Sequence, residues 1–139
     1  MVIKTEKMKI GRDKEEILTR GFLFACTRDT EDECFQRMIF ATERAYGPVV
    51  IRIRRGDLLF LNNIDTDAIY GVFRAISDGF FNVEHGDFNK RYPYQVKIEC
   101  IGEKIKLNDA RKMINKFDVK RNKPLFKVRL IEVLNTFIN

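Results

Sequence analysis

Residues 70–82, YGVFRAISDGFFN, decide how the rest of the chain is read. They open as an alternating strand, with Gly71, Phe73 and Ala75 on one face and Tyr70, Val72 and Arg74 on the other. Ser77, Asp78 and Gly79 then supply turn chemistry: short polar side chains bond the nearby backbone, and glycine takes conformations closed to other residues. Phe80 and Phe81 follow at once, two adjacent rings at the tip of a turn. We expect one of them to fold back and plug the end of the sheet. The other is then available to a partner such as an unpaired base, which stacks on an aromatic ring with about 1–3 kcal/mol.

Upstream, LLFLNN (58–63) reads as a further strand, joined to the first by a polar segment around Asp65. PVVIRIRRGD (48–57) also alternates, placing Ile51 and Ile53 on one side and Arg52 and Arg54 on the other before Gly56 and Asp57 turn the chain. Together the three form a meander. GFLFACT (21–27) is a buried strand that runs into a helix over TEDECFQRMIFAT (30–42), where Thr30 and Glu33 have the spacing of a capping box. Cys34, Phe35, Met38 and Ile39 share that helix's apolar face.

Downstream, YPYQVKIECI (92–101) alternates again, with Tyr94, Val96, Ile98 and Cys100 opposite Gln95, Lys97 and Glu99. Asn108 can cap a helix containing Ala110, Met113, Ile114 and Phe117. After the basic loop DVKRNKP (118–124), FKVRLIEVLNTFI (126–138) permits a strand at its start. The spacing of Val128, Ile131, Leu134 and Ile138, flanked by Leu130 and Phe137, predicts a helix for the rest. Residues 1–20 form a charged extension with a short strand and a helical turn around DKEEIL, and residues 21–139 form the domain. Strand, helix, a run of strands, then helices is the order of an α+β domain: a small mixed β-barrel or curved sheet flanked by helices.

Bulk properties agree with one domain. A chain of 139 residues with 45% apolar content can build one core, and no apolar run approaches the ~20 residues that cross a bilayer. The N-terminal stretch lacks the apolar centre of a secretory signal, so a soluble, cytoplasmic protein without membrane contact is expected. Cys26, Cys34 and Cys100 are odd in number and include no C-x-x-C pair; they read as reduced, mostly buried thiols. The abundance of Lys, Glu and Ile points to a thermophilic archaeal source. The net charge of +6 is unevenly spread. Residues 101–139 carry ten Lys/Arg against four Asp/Glu, whereas residues 57–88 carry one against six. Clustered basic charge of this kind is the footprint of a polyanion-binding face.

Chemistry-bearing motifs are scarce. The single histidine, His85, has no partner for a dyad, and Glu84 and Asp87 beside it read as a hydrated loop rather than a metal site. Phosphate-loop, dinucleotide and nucleophile-elbow patterns are absent. We therefore expect no catalytic residue, no metal and no cofactor. The remaining inventory is of a binding kind. Arg52 and Arg54 suit phosphates and equally suit a solvated sheet face; Asn62 and Asn63 can read base edges and also form turns.

Five stretches in order carry a family likeness: GFLFACTRDTEDECFQRMIF, GDLLFLNN, YGVFRAISDG, FNVEHGDF and YPYQVKIEC. Together they resemble the DCD domain, named for development and cell death in plants and found also in archaeal proteins. The likeness runs from about Gly21 to Ile138. That domain is similar in turn to the PUA-like group, including the EVE and YTH domains. The resemblance implies a PUA-like mixed β-barrel flanked by helices and, as the relatives' ligand, a modified base in nucleic acid. It implies a pocket near the end of the first strand, the start of the first helix and the ends of the central strands. Here those positions are Thr27, Asn62, Asn63, Ser77, Asp78, Phe80 and Phe81. Two departures follow from the residues themselves. YTH readers enclose the base with tryptophan and this chain has none, so any stacking falls to Phe and Tyr. Thr27 stands where plant sequences often place Asn, and the Phe80–Phe81 bulk stands where they commonly have glycine.

The expected function is thus non-enzymatic recognition of RNA or a nucleotide, with Arg52, Arg54, Lys120, Arg121 and Lys123 holding phosphates and the pocket receiving one base. The alternative is a protein–protein interaction module using the acidic 57–88 region or the exposed phenylalanines.

Overall fold

The computed structural model describes residues 20–138. The strand and helical turn expected around DKEEIL lie outside them. Strand β1 (Arg20–Cys26) is followed by helix α1 (Glu31–Arg37), strand β2 (Ile39–Thr42), a 3-10 turn (Arg44–Tyr46) and the one-turn helix α2 (Gly47–Val50). Next come β3 (Leu58–Asn63), β4 (Ala68–Ala75), β5 (Phe80–Phe81), α3 (Asp87–Arg91) and the long β6 (Tyr94–Asn108). Helix α4 (Ala110–Lys116), β7 (Leu125–Phe126) and α5 (Lys127–Ile138) complete the chain.

The strands form one curled sheet in the order β2-β6-β4-β3-β1-β7, with β5 pairing β6 off that path. Among the described residues only β1 and β3 run parallel, Phe22 facing Leu59 and Cys26 facing Asn63; the other pairs are antiparallel. This is the α+β half-barrel expected. β6 holds it together, because Tyr94–Lys97 pair with β2 while Ile98–Asn108 pair with β4.

Alternation along the strands builds two apolar layers. Phe22, Phe24, Phe40, Leu59, Leu61, Phe73, Val96 and Ile98 pack on one face with α1 and α2. Leu23, Leu58, Phe60, Ile69, Val72, Leu130, Leu134 and Phe137 pack on the other, under α4 and α5. In the first layer, Phe40 is fully buried and its ring lies 5.0 Å from Phe73, 5.6 Å from Phe24 and 6.4 Å from Phe35.

Several local expectations are corrected. The α1 helix is shorter than its apolar pattern, stopping where Met38 turns left-handed at φ 53°. Ile39–Thr42, β-branched and aromatic, instead pair with β6, burial overriding the helical period. Thr30 makes no capping bond into the helix; its Oγ1 accepts from the Thr27 amide at 3.0 Å, tightening the turn before it. Residues 51–55 are not a strand. Pro48 lies in the first turn of α2, and Arg54 Nη1 donates to the Ile51 and Ile53 carbonyls at 2.8 and 3.1 Å. The buried Asp57 carboxylate organises that connector, accepting from the Arg54 amide at 2.8 Å and from Arg20 Nη2 at 2.7 Å. Burial raises its pKa above the ordinary carboxyl value, against the pull of the Arg54 amide and the Arg20 guanidinium.

In β4 a register shift between Gly71 and Phe73 breaks strict alternation, so Tyr70 joins Phe73 and Ala75 in the first layer while Val72 joins Ile69 in the second. Gln95, on the strand face opposite Val96 and Ile98, is fully buried. Its Nε2 donates to Asn89 Oδ1 and to the Tyr92 carbonyl, both at 2.9 Å. β6 runs on to Asn108, so Asp109 rather than Asn108 stands at the α4 N-cap. In α5 the buried face is Leu130, Val133, Leu134 and Phe137, with Val128 and Ile131 exposed, because β7 fixes the rotation at which the helix meets the sheet.

Candidate functional site

A cavity of about 140 Å³ opens where β1 ends, between α1, the end of β2, α3 and the loop before β7. Each wall has a local cause. β1 delivers Ala25 and Cys26, and the tight turn after it fixes Thr27, whose Oγ1 lies 3.2 Å from Thr30 Oγ1. The α1 helix turns Cys34 inward, and pairing of β2 with β6 brings Ala41 and Glu43 to the rim. Phe88 on α3 and Tyr92 at its C-cap, four residues on, supply two rings at 5.4 Å.

Arg121 closes the last side. Its guanidinium lies over the Tyr46 ring, 3.7 Å from the centroid. Its Nη2 donates to Thr42 Oγ1 at 3.3 Å and to Glu43 Oε1 at 3.4 Å. Stacked and bridged, the cation is held at the cavity wall rather than left free in solvent.

The two thiols stay neutral. Burial, with the nearby Glu33 and Glu31 charges, pushes Cys34 up from 9.0 to about 12, and Cys26 is raised further by the same burial and by Cys34 itself. Neutral sulfur makes the wall apolar and leaves no thiolate nucleophile at neutral pH. A stability consequence follows. Between about pH 9 and 12 the unfolded thiol has lost a proton that folded Cys34 keeps. The native state then binds more protons, and stability falls as pH rises. The Cys34 contribution to the urea midpoint is expected to be flat below about pH 8, and the midpoint to decline above about pH 9, less steeply in Cys34→Ala. Equal alkaline slopes in the two proteins would contradict this.

The residues anticipated from sequence are scattered. Thr27 and Arg121 line the cavity. Asn62 and Asn63 point to opposite faces of β3. Asn63 is buried, donating from Nδ2 to Glu31 Oε1 at 2.9 Å and accepting the Asp65 and Thr66 amides, while no described residue reaches the buried Asn62 Oδ1. Ser77 Oγ accepts the Lys97 amide at 3.0 Å, and Asp78 Oδ1 accepts the Arg55 amide at 3.0 Å, so both pin the turn. Phe80 and Phe81 are not a turn tip but a short strand against Gln95 and Tyr94. Arg54 serves its own connector, Arg52 and Lys123 are exposed, and Lys120 pairs with Asp118 at 3.3 Å. Glu43, Phe88 and Tyr92 were not anticipated; the pair of aromatics four apart in the polar stretch GDFNKRYP was the available signal.

Comparison with known proteins covers both sequence and shape. The model for the Development and cell death domain matches residues 20–133. The chain is 30% identical over 107 residues to B2 protein of Daucus carota, covering 70% of this chain and 52% of that one. It is 33% identical over 84 residues to DCD domain-containing protein NRP of Arabidopsis thaliana, covering 55% of this chain and 24% of that one. The chain thus spans about half or less of these relatives, which are plant proteins and run against the archaeal expectation. In shape it is similar to the YTH domain-containing protein mmi1 in a complex with RNA, at TM-score 0.64 and 13% identity, over 86% of this chain and 81% of that one. It is similar also to the YTH domain of Zygosaccharomyces rouxii MRB1 protein in complex with N6-methyladenosine RNA, at TM-score 0.62 and 12% identity, over 86% of each chain. Among the described residues, no helix is long and apolar enough to cross a membrane.

Proposed function

The chain belongs to the Development and cell death domain family, and from that premise we propose that it is an RNA-binding module whose cavity at the end of β1 receives one unpaired base. The cavity carries this reading. Its volume, about 140 Å³, suits a single flat ring, and its apolar walls of Ala25, Cys26, Ala41 and Ile64 exclude water from the ring's faces. Phe88 and Tyr92 offer aromatic surface, while the Thr27 and Thr30 hydroxyls and the Glu43 carboxylate offer donors and acceptors to base edges. The solved neighbours described with RNA share this fold, which supports the same ligand class.

Without tryptophan, the pocket reads its base with Phe88, Tyr92 and polar edge contacts rather than with an indole cage. Arg121 lies at the wall, and Lys120 and Lys123 on the same loop extend positive charge outward for phosphates. Binding energy spent on a base and its backbone needs no acid or base, so the module acts by recognition alone.

The test is anisotropy of a labelled mixed-sequence single-stranded RNA. About three phosphate contacts beside the cavity should by themselves make log K fall by about two for each tenfold rise in salt. Arg121→Ala and Tyr92→Ala should each weaken binding about tenfold, the scale of one charge-assisted bond or one stacked ring. Folded protein that binds no RNA at low salt, or two variants that bind as the parent does, would overturn the reading.

A further inference from the structure

A second recess of about 530 Å³ lies on the other side of the same two segments that wall the cavity. On 41–44, Glu43 faces the cavity and its neighbour Arg44 faces the recess; on α3 and its C-cap, Phe88 and Tyr92 face the cavity while Asn89 and Lys90 face the recess. Consecutive Cα atoms are about 3.8 Å apart, so the two hollows adjoin. Asn82 and Asn89 of the recess are pinned from behind by Gln95: Asn82 Nδ2 donates to Gln95 Oε1 at 2.9 Å, and buried Asn89 and Gln95 bond each other.

Phe81 is the aromatic of this recess. Its side is 39% exposed, although its ring is fixed edge to face against Tyr94 at 5.1 Å, with Arg44 5.2 Å from its centroid. An exposed ring held in one orientation loses little freedom on stacking, and a guanidinium plane is itself a stacking surface for a base. Arg44 and Lys90 have no carboxylate within ion-pair distance among the described residues, unlike Arg20, Arg37, Arg74 and Arg121. No carboxylate there neutralises either charge, and Arg44 rests against the Phe81 ring that it would share with the base. Glu84 and Asp87 also line the recess without closing a pair, which leaves acceptors for base amino groups.

We propose that this recess is a second nucleotide subsite, taking the base next to the one in the cavity on Phe81 and its phosphate on Arg44 and Lys90. The inference rests on the RNA-binding reading and adds a direction, with the strand crossing from the cavity over the 43–44 rim to Phe81.

Binding of a mixed-sequence single-stranded RNA of about nine nucleotides, long enough to span both hollows, tests it. Phe81→Leu keeps apolar bulk against Tyr94 and removes the ring; it should weaken binding about tenfold, whereas Phe81→Tyr should bind within about twofold of the parent. Arg44→Gln with Lys90→Gln should lower the salt slope by about 1.4, from about 3.5 for about five phosphate contacts across both hollows to about 2.1 for the three at the cavity. If the parent and Tyr92→Ala behave as stated above but Phe81→Leu binds like the parent, the second subsite is overturned and the cavity reading stands. Parent protein that binds no RNA overturns both.

Discussion

Gly79→Ala is expected to destabilise the protein by about 3 kcal/mol or more, measured as a fall in the urea midpoint. A Cβ at residue 79 would overlap the Val50 carbonyl oxygen, and that atom is backbone, so no side-chain rotation relieves the clash. Nor can the backbone easily retreat. The Val50 carbonyl accepts the Ile53 amide at 3.0 Å, and the Gly79 amide itself donates to the Ile53 carbonyl at 3.0 Å. Asp78 holds the Arg55 amide, the Ala75 amide donates to the Asp57 carbonyl at 2.8 Å, and the Ala75 carbonyl accepts the Gly56 amide at 2.8 Å across the same junction. Any shift at Gly79 therefore breaks several hydrogen bonds at once, each costing about 1 kcal/mol. A change below about 1 kcal/mol would show that the turn and the connector are not locked together as described.

Phe40→Ala should cost a similar amount, about 3–5 kcal/mol, through a different mechanism. Its ring is fully buried among Phe24, Phe35 and Phe73, and all four come from separate elements that cannot collapse together without distorting the sheet. The lost transfer energy therefore adds to a cavity term. Because Phe40 precedes the cavity residue Ala41 on β2, loss of RNA affinity should accompany loss of stability. Phe40→Leu, which retains more volume, should fall between the parent and Phe40→Ala in urea titration.

The sequence made β1, β3, β4 and the C-terminal helices readable because each has a long apolar run with a clear period and turn residues at its ends. The connector 51–55 misled for a physical reason. Alternating Ile and Arg mimic a strand, yet the segment is organised by one carboxylate, Asp57, through contacts with Arg20 and Arg54. Ile39–Thr42 continued a helical pattern and became a strand because β6, more than fifty residues later, supplied a partner edge. The rotation of α5 was likewise set by β7, not by the spacing within the helix.

The same distinction governs the site. Thr27 and Arg121 were visible as an end-of-strand polar residue and a member of a basic loop. The cavity that unites them also needs Glu43, Phe88 and Tyr92, and those converge only through pairing of β2 with β6 and packing of α3 beside it. The Phe80–Phe81 pair reads differently once placed. Strand pairing with Gln95 and Tyr94 half-buries Phe80 and leaves Phe81 exposed over a recess.

The most direct test of the central claim is a two-dimensional amide NMR titration of the protein with a short single-stranded RNA at low salt. The account predicts saturable shifts concentrated at Cys26–Thr30, Ala41–Arg44, Phe88–Tyr92 and Arg121, with the α4 and α5 face unmoved. Shifts confined to the helical face, or a spectrum unchanged by RNA, would contradict it.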